Sequence, residues 1–213
     1  MKILRGLALL VAVLPISSWA ATFSGEVYSH FQQNNVTTAR DYISTTSDTP
    51  VVEFTSEDVP FFGVLSLFTG NVGDALDTQD QTLTGNAAQS TNNTVWHITG
   101  FVDLTAGLHT LTASYNDGVS LLIGGQEVHS SATQGFTTNK SFSLAQGGVQ
   151  SFDLLYWNNA SGARLNFKID GANISAAPPP TTAPPQNNPL PAPASLSLAL
   201  VGLAGLAFRR RSR

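Results

Sequence analysis

The chain has 213 residues with ten Lys and Arg against fourteen Asp and Glu, and it contains no cysteine. The absence of cysteine excludes disulfides, zinc–thiolate sites and thiol catalysis. Six of the ten basic residues lie in the two termini, so the central part sets four basic residues against all fourteen acids, a net charge of −10. So acidic a surface repels phosphate backbones, which excludes nucleic acid as a natural partner.

The first twenty residues have the three-part pattern of a secretion signal. Lys2 and Arg5 give a basic start, residues 6–16 form an apolar run, and a small-residue motif ends at Ala20. We predict export, with cleavage by signal peptidase between Ala20 and Ala21. An amphipathic first helix or a membrane anchor is the alternative, but the run is short for a span and lacks a polar stripe.

Residues 21–175 are the only stretch long enough to build a core, and their pattern is that of β-structure. Short runs of alternating apolar and polar residues are separated by turn residues, at about ten residues per strand. No helical crossover of a parallel sheet is visible. The pattern predicts an all-β, antiparallel sandwich or barrel.

The front of this stretch is harder to interpret than its second half. Residues 50–55 read as a strand, and residues 61–68 as a strand or a short buried helix. Asp74, Asp77 and Asp80 recur every three residues, but they lack the alternating oxygens and central glycine of a calcium loop. We interpret them as a solvated loop.

From residue 94 onward the strands are clear. The predicted strands cover residues 95–104 with a kink at Gly100, 109–115, 119–123, 126–129, 141–144, 149–157 and 163–169. Asn116-Asp117-Gly118 separates two of them and predicts a tight hairpin turn, because glycine adopts positive φ at no steric cost.

This half of the sequence resembles the protective-antigen-type domain, a lectin-like β-sandwich of jelly-roll form. The matching pieces are the strand ending at Gly100, the Thr-Ala-Gly turn 105–107, the strand 109–115, the turn 116–118, the Gly-Gly turn 124–125, and the segments 147–156 and 163–167. In sugar-binding members of that family, two adjacent aspartates hold calcium, and the metal contacts sugar hydroxyls.

The resemblance implies a ligand site at Asn116, Asp117 and Gly118, with Asn116 and Asp117 as calcium ligands. Asn116 stands where the family has its first aspartate, which removes one charge. The alternative is a hairpin in which both residues serve only the backbone conformation. The ring of Trp157 is a candidate platform for a sugar, although Tyr156 and Trp157 point to opposite faces, so one of them is expected in the core.

No catalytic motif is visible, and we expect no enzyme activity. The sequence contains no Gly-x-Ser-x-Gly, no phosphate-binding glycine loop and no His-Glu-x-x-His. His30, His97, His109 and His129 never come at ligand spacing, so partly buried, hydrogen-bonded histidines explain them better than zinc. A pair of distant carboxylates meeting in space keeps a secreted hydrolase as the weaker alternative.

Residues 176–193 form a proline-rich linker that can neither pair in a sheet nor stay helical. Extended, they would reach about 55 Å at ~3.1 Å per residue. Residues 194–208 are apolar, and Arg209, Arg210 and Arg211 follow at once. A helix of this length spans about 22 Å, short of a ~30 Å hydrocarbon core, a gap that snorkelling arginines and local thinning would close. The alternative is an apolar helix docked on the domain.

The end of the chain resembles the PEP-CTERM sorting tail of Gram-negative bacteria. In that family an exosortase recognises a Pro-Glu-Pro motif, a short membrane helix and a basic end. Here the hydrophobic helix and the arginine cluster correspond to residues 194–213. Pro191, Ala192 and Pro193 depart from it, because alanine stands where glutamate is usual. The resemblance implies a sorting enzyme as partner, transient anchoring in the inner membrane, and a final location at the cell surface or in the extracellular matrix.

Two functions fit these observations. The first is a non-catalytic module that binds extracellular polysaccharide, with calcium as a possible cofactor. The second is a structural matrix protein that has no specific small ligand.

Overall fold

The computed structural model describes residues 21–32, 35–59, 70–76, 82–159 and 162–180. The predicted signal segment, the apolar run 61–68, Asp77 and Asp80 lie outside these residues, as do the predicted sorting motif at 191–193 and the arginine cluster at 209–211. Within the described ranges, no helix is both long and apolar enough to cross a membrane.

The described chain contains twelve strands and two helices. They are β1 (Phe23–Ser29), α1 (Val36–Thr45), β2 (Val52–Ser56), β3 (Asp58–Val59), α2 (Val72–Leu76), β4 (Thr82–Gly85), β5 (Thr94–Leu104), β6 (Gly107–Asn116), β7 (Gly118–Ile123), β8 (Gln126–Ser131), β9 (Gly135–Leu144), β10 (Gly148–Asn158), β11 (Arg164–Ile169) and β12 (Ala172–Ser175).

These strands form two sheets, and the strand pairs are antiparallel. One sheet has seven strands in the order β4-β2-β1-β5-β10-β7-β8, and the other has five in the order β3-β12-β11-β6-β9. The predicted all-β antiparallel sandwich is therefore confirmed. The inner faces pack one main core, because apolar residues alternate with polar ones along each strand; its largest side chains include Trp96, Tyr156, Phe23, Phe152 and Phe167.

A second apolar cluster lies on the outer face of the seven-stranded sheet, beneath α1. Asn35 caps this helix by accepting hydrogen bonds from the backbone N–H groups of Thr37 and Thr38. Ala39 is fully buried and packs in the same cluster as Leu155 and Trp157. Because α1 covers this part of the outer face, residues on both faces of β10 are removed from water.

The predicted hairpin at Asn116-Asp117-Gly118 is wrong, because the two strands it joins lie in different sheets. β6 pairs with β9 and β11 in the five-stranded sheet, whereas β7 pairs with β8 and β10 in the seven-stranded one. The segment is a link that crosses the sandwich. By contrast, the predicted turn at Gly124 and Gly125 does close a hairpin, between β7 and β8.

The start of the predicted linker belongs to the sandwich. The Ala176 N–H donates to the Glu57 carbonyl at 2.7 Å, and the Ala177 N–H donates to the Phe101 carbonyl at 2.8 Å. Ala177 is also buried. The packed structure thus extends two residues beyond Ser175.

Candidate functional site

The candidate site lies at the end of the sandwich where β6 gives way to β7. Asp117 is held there from two sides. Its backbone N–H donates to the Trp157 carbonyl at 3.1 Å, and its Oδ2 accepts a hydrogen bond from the Asn159 N–H at 2.7 Å. The crossing link is therefore tied to the segment that follows β10, and the Asp117 carboxylate has a fixed position between the two.

Asn116 is fixed on the other side of the link. The Asn116–Asp117 peptide bond is cis, and the Asn116 side-chain Nδ2 donates to the Gly162 carbonyl. With its nitrogen used in this way, the amide presents its oxygen as the atom that can serve a cation. The structure thus brings Asn116 and Asp117 of the crossing link together with Trp157, Asn159 and Gly162, a proximity that the sequence alone does not show.

Trp157 supports the site from behind and cannot stack on a sugar, so the predicted platform role is wrong. Its ring is fully buried, and Tyr156 on the opposite face is fully buried too. A Cβ atom built on Gly118 would lie 2.0 Å from Trp157 Cζ2. Only glycine permits this close approach, so Gly118 acts by letting the crossing link lie against the indole rather than by touching a ligand.

Asn158 carries a buried polar atom for which the described residues supply no partner. Its side chain is fully buried, and its Nδ2 donates to the Thr91 carbonyl at 3.0 Å. Its Oδ1 accepts no hydrogen bond from any residue that the structure describes. A buried amide oxygen without a donor costs about 1–3 kcal/mol, which a cation or an ordered water would offset.

The donor set here fits calcium better than a transition metal. The Asp117 carboxylate and the Asn116 amide oxygen are hard oxygen groups, which calcium prefers. The described ranges contain no group of three His, Cys, Asp or Glu that could hold a metal ion. The side chains that the crossing link offers to a cation are one carboxylate and one amide oxygen.

The histidines occupy other places in the fold. His109 and His129 are buried and hydrogen-bonded, to Asp170 at 2.7 Å and to the Tyr115 hydroxyl at 2.8 Å. Burial lowers the pKa of His129. His97 lies within 3.5 Å of Asp153, whereas His30 is exposed.

Sequence reasoning missed a polar network on the outer face of the seven-stranded sheet. Arg40 of α1 donates from Nε and Nη2 to the Ser120 hydroxyl at 3.1 and 2.9 Å, and from Nη1 to the Asp153 carboxylate at 3.3 Å. Burial alone would raise the pKa of the Asp153 carboxyl, but the hydrogen bond from His97 and the Arg40 charge outweigh it and lower that pKa.

Known structures share this architecture. The chain is similar to the PA14 domain of the MpAFP antifreeze protein, with a TM-score of 0.59 and 19% sequence identity over 79% of this chain and 92% of that one. The fold is that of a PA14 domain. PA14 is the protective-antigen-type domain, so the resemblance drawn from the turns is confirmed at the level of the fold.

A second PA14 structure aligns over its whole length. A PA14 sugar-binding domain from an RTX adhesin matches with a TM-score of 0.56 and 18% identity, over 75% of this chain and 100% of that one. The chain matches no protein-family model and no curated protein sequence. At such low identity the likeness concerns the PA14 fold and leaves the ligand to be argued from the site.

Proposed function

We propose that this chain is an exported, non-catalytic PA14-type module that binds a glycan of the cell surface or matrix through calcium held at Asp117. The observation that carries the proposal is the placement of the Asp117 carboxylate. It lies on the link between the two sheets and is anchored by the Asn159 N–H at 2.7 Å. The similar RTX adhesin domain is described as sugar-binding, which supports a glycan as the ligand class.

Each residue at the site would have a different role in binding the calcium ion. Asp117 supplies the negative charge, Asn116 a neutral amide oxygen, and Trp157 the buried wall that keeps the link in place. The bound ion would contribute open coordination positions for sugar hydroxyls. The crossing link supplies one carboxylate, and two would bind calcium more tightly. We therefore expect a dissociation constant of about 10⁻⁴ to 10⁻³ M, the range typical of extracellular calcium modules.

Calorimetric titration of the purified full-length chain with calcium, after removal of metal by a chelator, tests the site. Asp117→Asn is expected to abolish binding, because it removes the carboxylate while keeping the side-chain shape. Asp103→Asn is the matched control: it removes the same charge from an exposed position on β5, and we expect it to bind calcium as the parent chain does.

A glycan array probed with and without chelator then tests the ligand. Calcium binding that survives Asp117→Asn would contradict the assignment of the site. No calcium binding together with no glycan signal would favour the structural matrix protein, and release of reducing sugar from polysaccharide would favour a hydrolase.

Export and sorting to the cell surface are part of the proposed function, and both are argued from the sequence alone. A reporter fused to residues 1–20 should leave the cytoplasm, and a reporter that stays inside would contradict the signal. For the tail, replacing Arg209, Arg210 and Arg211 together by glutamine should abolish sorting to the cell surface, measured by fractionation of the cell envelope.

A further inference from the structure

The outer face of the seven-stranded sheet contains two cavities. One, of about 370 Å³, lies over β1, β2 and β4 and is lined by Glu26, Glu53, Ser24, Thr55, Thr82 and Thr84 among others. The other, of about 440 Å³, lies between α1 and the strands β5 and β10. Neither cavity includes a residue of the crossing link at 116–118.

The strand register places the two cavities side by side. Glu26 of the first is directly opposite His97 of the second, and Ser24 is opposite Thr99, which is in turn opposite Asp153. Strands β4, β2, β1, β5 and β10 are neighbours in this order. Four strand spacings of about 4.8 Å separate β4 from β10, so the two cavities together extend over roughly 19 Å of the outer face. We call these two adjacent cavities the outer trough.

The wall of the outer trough offers both donors and acceptors of hydrogen bonds. At one end, Arg40 and His97 supply N–H groups around the Asp153 carboxylate, with contacts of 3.3 and 3.5 Å that are long for tight ion pairs. At the other end are threonine hydroxyls, of which Thr55 and Thr82 are hydrogen-bonded across the strands at 2.6 Å.

Glu26 and Glu53 are the costly feature of the outer trough. They are directly opposite on β1 and β2, an arrangement of like charges that destabilises a sheet. Glu26 accepts a hydrogen bond from the Tyr28 hydroxyl at 2.8 Å, and within the described ranges neither carboxylate forms an ion pair within 4.0 Å. Hydrogen bonds from a ligand to these two carboxylates would offset that cost.

We propose that the outer trough is a second binding site, independent of calcium, for an extended neutral glycan chain. Sugar hydroxyls both donate and accept hydrogen bonds, and they would find carboxylate acceptors at Glu26 and Glu53 and donors at Arg40 and His97. The length of the trough fits an oligosaccharide of several units lying across the strands. This site does not depend on the calcium site at Asp117.

Charge decides against other occupants. Glu26, Glu53, Asp41 and Asp153 outnumber Arg40 in the walls, so a polyanionic glycan would be repelled. A cationic peptide would suit the carboxylates, but its lysine and arginine side chains only donate hydrogen bonds, so they offer no acceptor to Arg40 and His97. A neutral glycan satisfies both kinds of group.

The test is affinity electrophoresis of the purified full-length chain in native gels containing galactomannan, xyloglucan or dextran, with chelator present throughout. Alginate serves as the polyanion, and oligolysine as a cationic peptide competitor. We expect at least one neutral polysaccharide to retard the chain. Glu26→Gln with Glu53→Gln should weaken that retardation about tenfold or more, since each change removes a charged acceptor.

Two further variants keep the result clear. Thr84→Arg should block the trough by bulk, and Asp103→Asn, an exposed acid further along β5, should bind as the parent chain does. The double glutamine variant should unfold at the same temperature as the parent or higher, because it removes a like-charge pair.

The proposal is overturned if no neutral polysaccharide binds in chelator, if binding ignores both the double glutamine change and Thr84→Arg, or if only oligolysine binds. Glycan binding that is lost on adding chelator and in Asp117→Asn would overturn the outer trough and leave the calcium site standing. Glycan binding that persists in chelator, by a chain that takes up no calcium, would overturn the calcium site and support the outer trough.

Discussion

Asn116 is the residue that most limits calcium binding at the proposed site. Its amide nitrogen donates to the Gly162 carbonyl, which fixes the crossing link without metal. An aspartate in its place would add the second charge that calcium prefers, but it would also face that carbonyl with an oxygen instead of an N–H.

Asn116→Asp is therefore expected to tighten calcium binding and to make stability depend on calcium. Without metal, the lost hydrogen bond should lower the free energy of unfolding by about 1–3 kcal/mol, and saturating calcium should restore it by mass action. Thermal unfolding in chelator and in calcium measures both effects. Asn173→Asp, exposed on β12, is the control, and an equal calcium response in the two variants would refute the expectation.

His109 connects β6 to the turn between β11 and β12 through two acceptors. Its Nε2 is 2.9 Å from the Thr105 carbonyl, and its Nδ1 is 2.7 Å from Asp170 Oδ2. Both ring nitrogens therefore donate, which requires the charged imidazolium. The hydrogen bond to Asp170 raises the pKa of His109. The pKa of the Asp170 carboxyl is lowered, mainly by the hydrogen bond from the Thr110 N–H and to a smaller extent by the one from His109.

The His109–Asp170 pair gives a stability contribution with a definite pH range. Because the pKa of His109 is raised on folding, its contribution is complete below about pH 6.5 and is lost as pH rises through the raised value. Because the pKa of Asp170 is lowered, its contribution is present above about pH 4 and is lost as pH falls. Buried His129, with its lowered pKa, acts in the opposite direction to His109.

Urea unfolding between pH 5 and pH 8 isolates the contribution of His109. His109→Gln should lose more stability relative to the parent at pH 5 than at pH 8. His30→Gln, which changes an exposed histidine, should give no such difference. A constant gap between parent and His109→Gln across this range would show that His109 is not charged in the fold.

At the scale of elements, α1 depends on Arg40 for its attachment to the sheet. The guanidinium reaches Ser120 and Asp153, which are 80 and 113 residues away in the sequence. Ser120 is fully buried, so its hydroxyl relies on this contact.

Arg40→Ala should lower the free energy of unfolding by about 1–3 kcal/mol, because it leaves a buried hydroxyl unpaired. Arg40→Lys should recover only part of the loss, since lysine cannot span both partners with a planar fork. Urea unfolding measures both variants, and Thr37→Ala, exposed on the same helix, is the control. Equal stability of Arg40→Ala and Thr37→Ala would contradict this role.

The elements also show how far the sequence can be interpreted. Strands such as β5, β7 and β10 are predicted to within a few residues, because alternation and turn residues are local signals. Helix α1 was not predicted, since it is rich in threonine and Ala39 is the residue it buries fully. Asn-Asp-Gly has the same local chemistry in a hairpin and in a crossing link, so only the partner strands, far away in sequence, decide between them.

The candidate site could be predicted only in part, and the reason is the same. The resemblance to a family located Asn116 and Asp117, but the hydrogen bond to Asn159 and the burial of Trp157 depend on pairings that no local pattern contains. The outer trough is likewise a product of register across β1, β2 and β5.

For the molecule as a whole, the packed unit ends after Ala177 rather than at Ser175. A chain that stops at Pro180 should unfold at the same urea concentration as the full chain. A chain that stops at Ser175 loses two backbone hydrogen bonds and the burial of Ala177, and should be less stable by about 1–3 kcal/mol. Equal stability of the two truncated chains would show that residues 176 and 177 are dispensable.

The contact between Ala177 and Phe101 also gives the domain a polarity. Thr94, at the start of β5, pairs with Asn158 beside the candidate calcium site, whereas Phe101 lies seven residues further along the same strand, about 23 Å away. The polypeptide thus leaves the sandwich at the pole remote from Asp117.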